Sequence, residues 1–427
     1  MDVKEVKRFK VRLILKDRLF MNSVWLMGST AILAITGFIF WTVAARHYSP
    51  DTIGIISTLI SSISFLSTIC LLGLNVSIIN HMPRSKSPNV LINSAFSIVT
   101  VVSVIAASIF LLFAKSFFPK LAVALDNKSL LVLFILFATL TTVDTVLEGV
   151  FIAYKTSLII IIKNLFYSIL KLLLIFYLIN LGQIGLLSAY YLGLVLADLI
   201  GYFYIRKRFS YRFTSRISLK SSRKVLNSSF GNYVESLTSV LPLAILPLLI
   251  TTVATPTLTA YFYIDMVIAA VLYAIPKAVT RNMIAEISGD LDKYKHFLKR
   301  SILILLAVLI PISAILILFG KEILGIFGSR YAHNGYALLV LLTMSCFIVA
   351  ANSLYWASLN VFNSTKHLWW INAVSAVFIL GGSYLLLSHG LIGIGIAWIV
   401  GQVIQLTLYT LCFTSIAHRK ISVPLDE

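Results

Sequence analysis

Ionisable residues inside long apolar stretches are the first candidates for chemistry in this chain. Asp144 and Glu148 are four residues apart, and Lys163 and Lys171 are eight apart, so each pair shares one face if its segment is helical. An ionisable group in hydrocarbon costs about 2.5–3.5 kcal/mol on insertion scales and therefore normally faces a cavity or an opposite charge. Two interpretations stay open: the acids and lysines neutralise each other and lock their helices together, or the lysines bind a phosphate group.

Two further acids, Glu235 and Asp265, stand alone in apolar stretches of the second half of the chain, and Asp198 lies toward the end of another such stretch. A buried carboxyl can carry a coupling proton or Na⁺. Glu235 and Asp265, with Asp144 and Glu148, are therefore the candidate ion-coupling residues, and a satisfied structural acid is the alternative in each case.

The composition indicates a membrane protein. Of 427 residues, 59% are hydrophobic and 12% are charged, and the mean hydropathy is +0.96. The net charge of +19 does not indicate nucleic-acid binding, because Lys and Arg lie in short segments between apolar runs.

No resident cofactor or metal is expected. The three cysteines, Cys70, Cys346 and Cys412, lie in apolar runs without a neighbouring histidine at ligand spacing. A phosphate-binding GxxxxGK[ST] loop is absent from the sequence, so we do not expect the chain to hydrolyse ATP.

Apolar runs long enough to cross about 30 Å of hydrocarbon predict an all-α, multi-pass membrane protein with about twelve helices. The predicted spans are 22–45, 53–80, 90–114, 129–154, 157–180, 184–205, 225–253, 256–280, 301–319, 336–362, 368–388 and 391–416. Three parts are predicted: a six-helix lobe (1–205), a basic cytoplasmic linker (206–224), and a second six-helix lobe with a short cytoplasmic tail (225–427).

The distribution of Lys and Arg predicts the orientation. With the N-terminus in the cytoplasm, 28 of the 35 Lys and Arg fall in segments on the cytoplasmic side and 6 on the outer side. We therefore expect both termini to be cytoplasmic. Aromatic pairs at predicted span ends, Trp41 with Tyr48 and Trp369 with Trp370, are typical of anchors at the lipid headgroup level.

An internal repeat links the two halves. Gly182, Gly185 and Tyr190 of the sixth span recur as Gly390, Gly393 and Trp398 of the twelfth at an offset of 208, and the same offset places Asp144 on Asn352 and Asn164 on Asn372. An even number of helices per repeat makes the halves parallel, as in transporters that alternate access around a central cavity.

The turn between the first two spans carries a family resemblance. Its residues are Phe40, Trp41, Ala44, Ala45, Arg46, Tyr48, Ser49, Pro50, Asp51 and Gly54. This run resembles the AR-x-L-G-P-E-x-x-G signature of O-antigen-type polysaccharide flippases in the multidrug/oligosaccharidyl-lipid/polysaccharide exporter superfamily, with His47 and Ser49 as departures. Leu72, Gly73 and Leu74 add support. The resemblance extends over nearly the whole chain.

The resemblance implies two six-helix lobes around a central cavity and transport of a polyprenyl-(pyro)phosphate-linked saccharide, such as a lipopolysaccharide precursor, from the inner to the outer leaflet. Arg46 belongs to the signature and joins Lys163 and Lys171 as a candidate substrate-binding residue, with helix capping or headgroup contact as its alternative. Lys277 and Arg281 are ambiguous in the same way. Expected partners are membrane lipids and glycosyltransferases or a polymerase of the same pathway.

Three alternatives remain at this point. The nearest is a multidrug or organic-cation exporter of the same superfamily; it is less favoured because Lys163 and Lys171 offset Asp144 and Glu148. An integral-membrane glycosyltransferase or polymerase would need catalytic residues in sizeable outer loops, whereas the longest predicted ones, 115–128 and 320–335, are short. A purely structural subunit that holds glycosyltransferases at the membrane is the third.

Overall fold

A computed structural model describes residues 18–85, 87–212, 219–287, 294–362 and 367–421 of the chain, and these residues form helices joined by short turns. The α-helices are α1 (Arg18–His47), α2 (Pro50–Cys70), α3 (Leu74–His81), α4 (Pro88–Phe117), α5 (Pro119–Leu125), α6 (Lys128–Ala153), α7 (Ser157–Tyr177), α8 (Gly182–Arg208), α9 (Leu219–Val253), α10 (Pro256–Ile287), α11 (Tyr294–Leu318), α12 (Gly320–Gly325), α13 (Ser329–Val361), α14 (Leu368–Leu386) and α15 (Gly390–Ile421).

The predicted fold class is confirmed. Within the described ranges, eleven stretches are long and apolar enough to cross a membrane. The last of them, Leu368–Ser415, is 48 residues long and contains both α14 and α15, so it accounts for two crossings. The protein is therefore an all-α, multi-pass membrane protein with twelve long helices in its described part.

The chain forms two compact units. The first unit comprises Met1–Phe40, Leu66–Phe117 and Ala122–Tyr233, and the second comprises Trp41–Phe65, Phe118–Leu121 and Val234–Glu427, each with respect to its described residues. The three-part division into 1–205, 206–224 and 225–427 stays a prediction. Residues 213–218 of the predicted basic linker lie outside the described residues.

The second predicted span is not one continuous helix. It was predicted over 53–80, but α2 ends at Cys70 and the short α3 follows after a three-residue turn. Leu72 and Gly73 in that turn have φ angles of 49° and 77°. Left-handed backbone of this kind ends a helix, and glycine adopts it without steric cost. The apolar character of the segment continues across the turn, which is why hydropathy does not reveal the break.

The internal repeat recurs in the backbone. A 3₁₀ turn precedes α8 and another precedes α15, and in each case the long helix begins at a glycine with positive φ, 56° at Gly182 and 63° at Gly390. Three residues later the two copies again coincide: a Cβ on Gly185 would lie 2.0 Å from a backbone oxygen, and one on Gly393 would lie 1.9 Å from the matching oxygen. Both copies therefore require the same glycines for the same steric reason.

Residues 41–65 pack tightly inside the second unit. A Cβ on Gly54 would lie 1.8 Å from the carbonyl oxygen of Pro256, so the helices approach as closely as their backbones allow. One turn further along, the buried hydroxyl of Thr58 lies 2.6 Å from that of Thr251. Small and hydroxyl-bearing residues are what close helix packing in a membrane uses.

The burial of Trp41 contradicts its predicted role as a headgroup anchor. It is 2% exposed and packs edge-on against Tyr263 of the same unit, with ring centroids 4.8 Å apart. A side chain this deeply buried is part of a helix interface and does not anchor the chain at the headgroup level. Trp369, in contrast, is 45% exposed, as an anchor would be.

Candidate functional site

A charge cluster centred on the buried Lys163 joins three helices of the first unit. Lys163 of α7 is fully buried, and its Nζ atom contacts Asp144 Oδ1 of α6, lies 3.5 Å from Glu148 Oε1 of the same helix, and lies 3.3 Å from Asp198 Oδ1 of α8. Asn164, next to Lys163, donates a hydrogen bond of 3.1 Å to Glu148 Oε1. The helical spacing that places Asp144 and Glu148 on one face thus brings both to the same lysine.

The cluster contains three carboxyl groups and one ammonium group. If all four groups are ionised, the cluster carries two negative charges in excess around a fully buried lysine, although the side chains of Asp144 and Glu148 are 17% and 31% exposed. The second oxygen of Asp198, Oδ2, is buried without a hydrogen-bond partner among the described residues. Protons or a bound cation are therefore the means by which this cluster can approach neutrality.

Lys171 lies two turns beyond Lys163 on α7 and has a different environment. Its Nζ atom faces three aromatic rings, at 4.8 Å from the ring centroid of Tyr167, 5.1 Å from that of Tyr190 and 5.4 Å from that of Phe40. In the described part of the chain no carboxylate lies within 4 Å of it. Lys171 is 2% exposed, and its described surroundings are aromatic faces, which attract a cation, and not carboxylates.

Arg46 belongs to the second unit, whereas both lysines belong to the first. Its Nε donates to the carbonyl oxygen of Ile326 at 2.6 Å and its Nη2 to that of Gly325 at 3.1 Å. These are the unsatisfied carbonyls at the end of α12, which basic side chains commonly cap. The geometry matches the capping alternative for Arg46, and its role in substrate binding stays a prediction.

The second unit contains a cavity of about 350 Å³ lined by apolar, polar and charged side chains, which we call the polar cavity. Glu235 of α9 and the cations Lys277 and Arg281 of α10 lie on its wall. The two cations are one helical turn apart and exposed, and no described carboxylate lies within 4 Å of either. Four aromatic residues and four side-chain amides also line the cavity, together with serine and threonine hydroxyls. The aromatic and amide residues are Tyr273, Trp356, Trp398, Tyr409, Asn352, Asn372, Gln402 and Gln405.

A hydrogen-bonded chain orders the amides of this cavity. Asn352 Nδ2 donates to Gln402 Oε1 at 2.9 Å and to Gln405 Oε1 at 3.2 Å. Gln405 Nε2 in turn donates to Asn372 Oδ1 at 2.8 Å, and Tyr409 donates to the same oxygen at 2.9 Å. Asn352 Oδ1 is buried and has no partner in the described part of the protein. The network is therefore fixed in orientation and retains an unused acceptor.

The cavity network and the charge cluster occupy equivalent places in the repeat. Asn352 stands at the position of Asp144, and Asn372 stands at that of Asn164. The same inter-helix location is therefore lined with charges in the first unit and with neutral amides in the second. Neutral amides bind hydroxyl groups without the desolvation cost of a buried charge.

The two isolated acids of the second unit differ in their environments. Glu235 lies on the cavity wall, where its Oε1 accepts a hydrogen bond of 3.3 Å from Trp356 Nε1. Asp265 of α10 is fully buried, and neither of its oxygens has a hydrogen-bond partner among the described residues. Its carboxyl faces the backbone of α13, where a Cβ on Gly335 would lie 2.8 Å from Oδ1. Ion coupling by either acid stays a prediction.

The structure thus brings together Lys163, Asp144 and Glu148, and places Lys171 on the same helix. It adds Asp198 as a third acid of the cluster. The cavity residues Gln402 and Gln405 were missed by the sequence analysis, because neutral amides in an apolar run give no charge signal. Lys277, noted there as ambiguous, is part of the cavity wall.

Known proteins resemble this chain in sequence family and in fold. A family model described as "Polysaccharide biosynthesis protein" matches residues 19–279. No curated protein sequence gives a match.

Several solved membrane transporters share the fold. An inward-facing multidrug resistance transporter of the MATE family, in the MOP superfamily, aligns with a TM-score of 0.75 at 16% identity, over 91% of this chain and 95% of its own. The lipid II flippase MurJ, in an inward closed conformation, aligns with a TM-score of 0.77 at 13% identity, over 92% and 87%. A MOP superfamily transporter from Pyrococcus furiosus aligns with a TM-score of 0.66 at 14% identity, over 94% and 96%. At these identities the likeness shows the fold alone.

Proposed function

We propose that this chain, which belongs to the polysaccharide biosynthesis protein family, is an alternating-access flippase. It moves a lipid-linked oligosaccharide or polysaccharide precursor from the cytoplasmic to the outer leaflet of the cell membrane. The carrier is a polyprenyl (pyro)phosphate, and both termini of the protein lie in the cytoplasm. One solved structure of the same fold is a lipid II flippase by name, which supports movement of a lipid by this architecture.

The polar cavity of the second unit is the observation that carries the proposal. Its amides and Glu235 offer hydrogen-bond donors and acceptors for sugar hydroxyl groups, and its aromatic rings offer flat apolar faces. Lys277 and Arg281 supply two cations at one place on the wall, which suits a phosphate or pyrophosphate. A wall of this composition fits a ligand that is both hydroxylated and anionic.

The first unit supplies the second element of the mechanism. We assign Lys171 as a phosphate ligand, because its ammonium group is surrounded by rings and has no described counter-charge within 4 Å. Lys163 remains a candidate in the same role, although three carboxylates already surround it. The excess of acids over bases in the charge cluster makes Asp144 and Glu148 proton or Na⁺ carriers, with Glu235 and Asp265 as the carriers of the second unit.

Export of organic cations is the competing function, since MATE transporters share the fold. Glu235 among four aromatic rings would suit a cationic drug. Lys277 and Arg281 on the same wall would repel one, and this is why we favour the flippase. Association with glycosyltransferases or a polymerase of the pathway belongs to the same proposal.

Deletion of the protein in its host tests the proposed function. The membrane is assayed for lipid-linked oligosaccharide and the cell surface for glycan, and the strain is complemented with wild type, with Lys277→Gln/Arg281→Gln, or with Lys207→Gln/Arg208→Gln as a matched control at the end of α8. A flippase predicts that the intermediate accumulates without surface product in the deletion and in the cavity variant, but not in the control. Normal glycan with greater sensitivity to cationic drugs would assign the exporter function instead.

A further inference from the structure

A second cavity in the second unit is apolar and takes no part in the proposed transport site. Its volume is about 400 Å³, and it lies between α11 and α13, with one contribution from α15. We call it the α11–α13 groove and define it by six of its lining residues. These are Leu298, Ile302, Leu306, Ala350, Leu354 and Phe413. Ile302 and Leu306 are 39% and 43% exposed, so the groove opens to the outside of the helices, where lipid lies.

The groove becomes polar at the beginning of α11. Tyr294, the first residue of that helix, donates a hydrogen bond of 2.7 Å to Ser358 Oγ, and both residues line the groove. Lys295 and Lys299 are exposed in the first two turns of α11. They are spaced with Ile302 so that all three share one helix face. Two cations therefore flank the polar end of an otherwise apolar groove.

Helix α13 separates the groove from the polar cavity. Ala350 and Leu354 line the groove, whereas Ser353 and Trp356 line the polar cavity. Residues at these offsets project from different sides of a helix. A saccharide in the cavity thus has a full helix between it and the groove, which disfavours the substrate's own polyprenyl chain as the occupant.

We infer that the α11–α13 groove binds one acyl chain of a membrane phospholipid whose anionic headgroup is held by Lys295 and Lys299. The apolar wall matches the acyl chain, and the flanking lysines match a phosphate-bearing headgroup with net negative charge. Basic sites between transmembrane helices commonly bind anionic lipids in this way. The occupant also contacts α13, which the groove shares with the polar cavity, so the lipid supports one wall of the proposed transport site.

Native mass spectrometry of the purified full-length protein tests this inference. The detergent-solubilised protein is titrated with palmitoyl-oleoyl phosphatidylglycerol and, separately, with the phosphatidylcholine of the same chains. Wild type should retain phosphatidylglycerol preferentially. Lys295→Gln/Lys299→Gln should weaken that binding roughly 30-fold, since each basic residue near a lipid surface contributes about a factor of five, and should leave phosphatidylcholine binding unchanged.

A groove-filling variant, Ala351→Trp, examines the acyl chain independently, because Ala351 also lines the groove. It should abolish retention of both lipids, whereas Leu303→Trp, at a 58% exposed position of α11, should retain them as wild type does. Lys207→Gln/Arg208→Gln controls for the loss of two charges elsewhere.

Equal retention by wild type and the lysine variant would overturn the headgroup assignment. Displacement of phosphatidylglycerol by polyprenyl phosphate, with the same sensitivity to Ala351→Trp, would assign the groove to the substrate chain. A dimer that Ala351→Trp dissociates would assign it to a second copy of the protein. The last two results would each contradict the inference while leaving the proposed flippase function intact.

Discussion

The ammonium group of Lys171 lies 4.8 Å from the ring centroid of Tyr167, one turn earlier on α7, and two further rings face the same group. Lys163, one turn before Tyr167, is instead surrounded by three carboxylates. One face of α7 therefore carries two buried lysines in different surroundings, one among carboxylates and the other among aromatic rings. Lys163 makes ion pairs within the protein, whereas no described carboxylate lies within 4 Å of the ammonium group of Lys171.

Lys171→Ala should abolish most transport without lowering the amount of protein in the membrane. A charge-assisted hydrogen bond contributes about 1.5–3 kcal/mol, so its loss from substrate binding corresponds to at least about a tenfold decrease. Surface glycan and uptake of lipid-linked saccharide into inverted vesicles measure this, with the exposed Lys207→Ala as control. Normal glycan in the Lys171 variant would remove this residue from the site.

Lys163→Met should destabilise the protein far more than Asp198→Asn does. Removing the lysine leaves three acids without a counter-charge, and breaking a buried pair in this way costs about 3–5 kcal/mol. Asp198→Asn reduces the excess negative charge from two to one and should cost little. Thermal unfolding in detergent measures both, and addition of Asp198→Asn to Lys163→Met should recover part of the loss. Equal destabilisation by the two single variants would refute this charge balance.

Glu235→Gln should remove the dependence of transport on an imposed pH gradient if Glu235 carries the coupling proton. Glu235 accepts a hydrogen bond from Trp356, and the other titratable groups on the same cavity wall are Lys277, Arg281, Tyr273 and Tyr409. Transport of a fluorescent lipid-linked saccharide in vesicles with and without the gradient measures the effect. An unchanged pH profile would assign Glu235 to structure. Asp265→Asn, measured in parallel, separates the two candidate acids.

Gly335→Ala should destabilise the protein by about 1–3 kcal/mol, because the new methyl group would lie within 3 Å of the Asp265 carboxyl. Gly381→Ala is the matched control, since its Cβ would meet nothing within 4 Å. In a double-mutant cycle, Asp265→Ala should relieve the clash, so the two changes together cost less than their sum. If the free-energy changes of the two single variants simply added, the cost of Gly335→Ala would not come from its contact with Asp265.

Cysteine labelling tests the orientation. In a background without Cys70, Cys346 and Cys412, an impermeant maleimide added outside intact cells should label Asp126→Cys and not Arg212→Cys. Both positions are exposed, so accessibility alone does not separate them. The reverse pattern would place both termini outside and overturn the assignment made from the Lys and Arg distribution.

Hydropathy and periodicity predicted the long helices, because a helix that crosses lipid must be apolar over its whole length. They did not reveal the turn at Leu72 and Gly73, where the segment stays apolar while the backbone adopts a left-handed conformation. They also predicted that Asp144 and Glu148 share a face, since this follows from spacing within one helix.

Partners across helices could not be predicted in the same way. The rings around Lys171 come from three helices, with Phe40 on α1 and Tyr190 on α8, and nothing in the local sequence of either joins them. Asn352 and Asn372 were visible as repeat matches, but their hydrogen bonds to Gln405 depend on how α13, α14 and α15 pack. Both sites are formed by packing between helices, and the spacing of residues within one helix does not predict that packing.

The turns at Gly182 and Gly390 have the same backbone conformation, but the helices that follow them present different side chains. Both copies share the positive φ and the close approach three residues later, yet α8 carries the acid Asp198, whereas α15 carries the amides Gln402 and Gln405. The backbone of the turn is therefore the same in the two copies, whereas the side chains that line the following helices differ. A chimaera in which residues 178–186 are replaced by 386–394 should keep the turn and the start of the long helix, because both segments begin that helix at a glycine with positive φ.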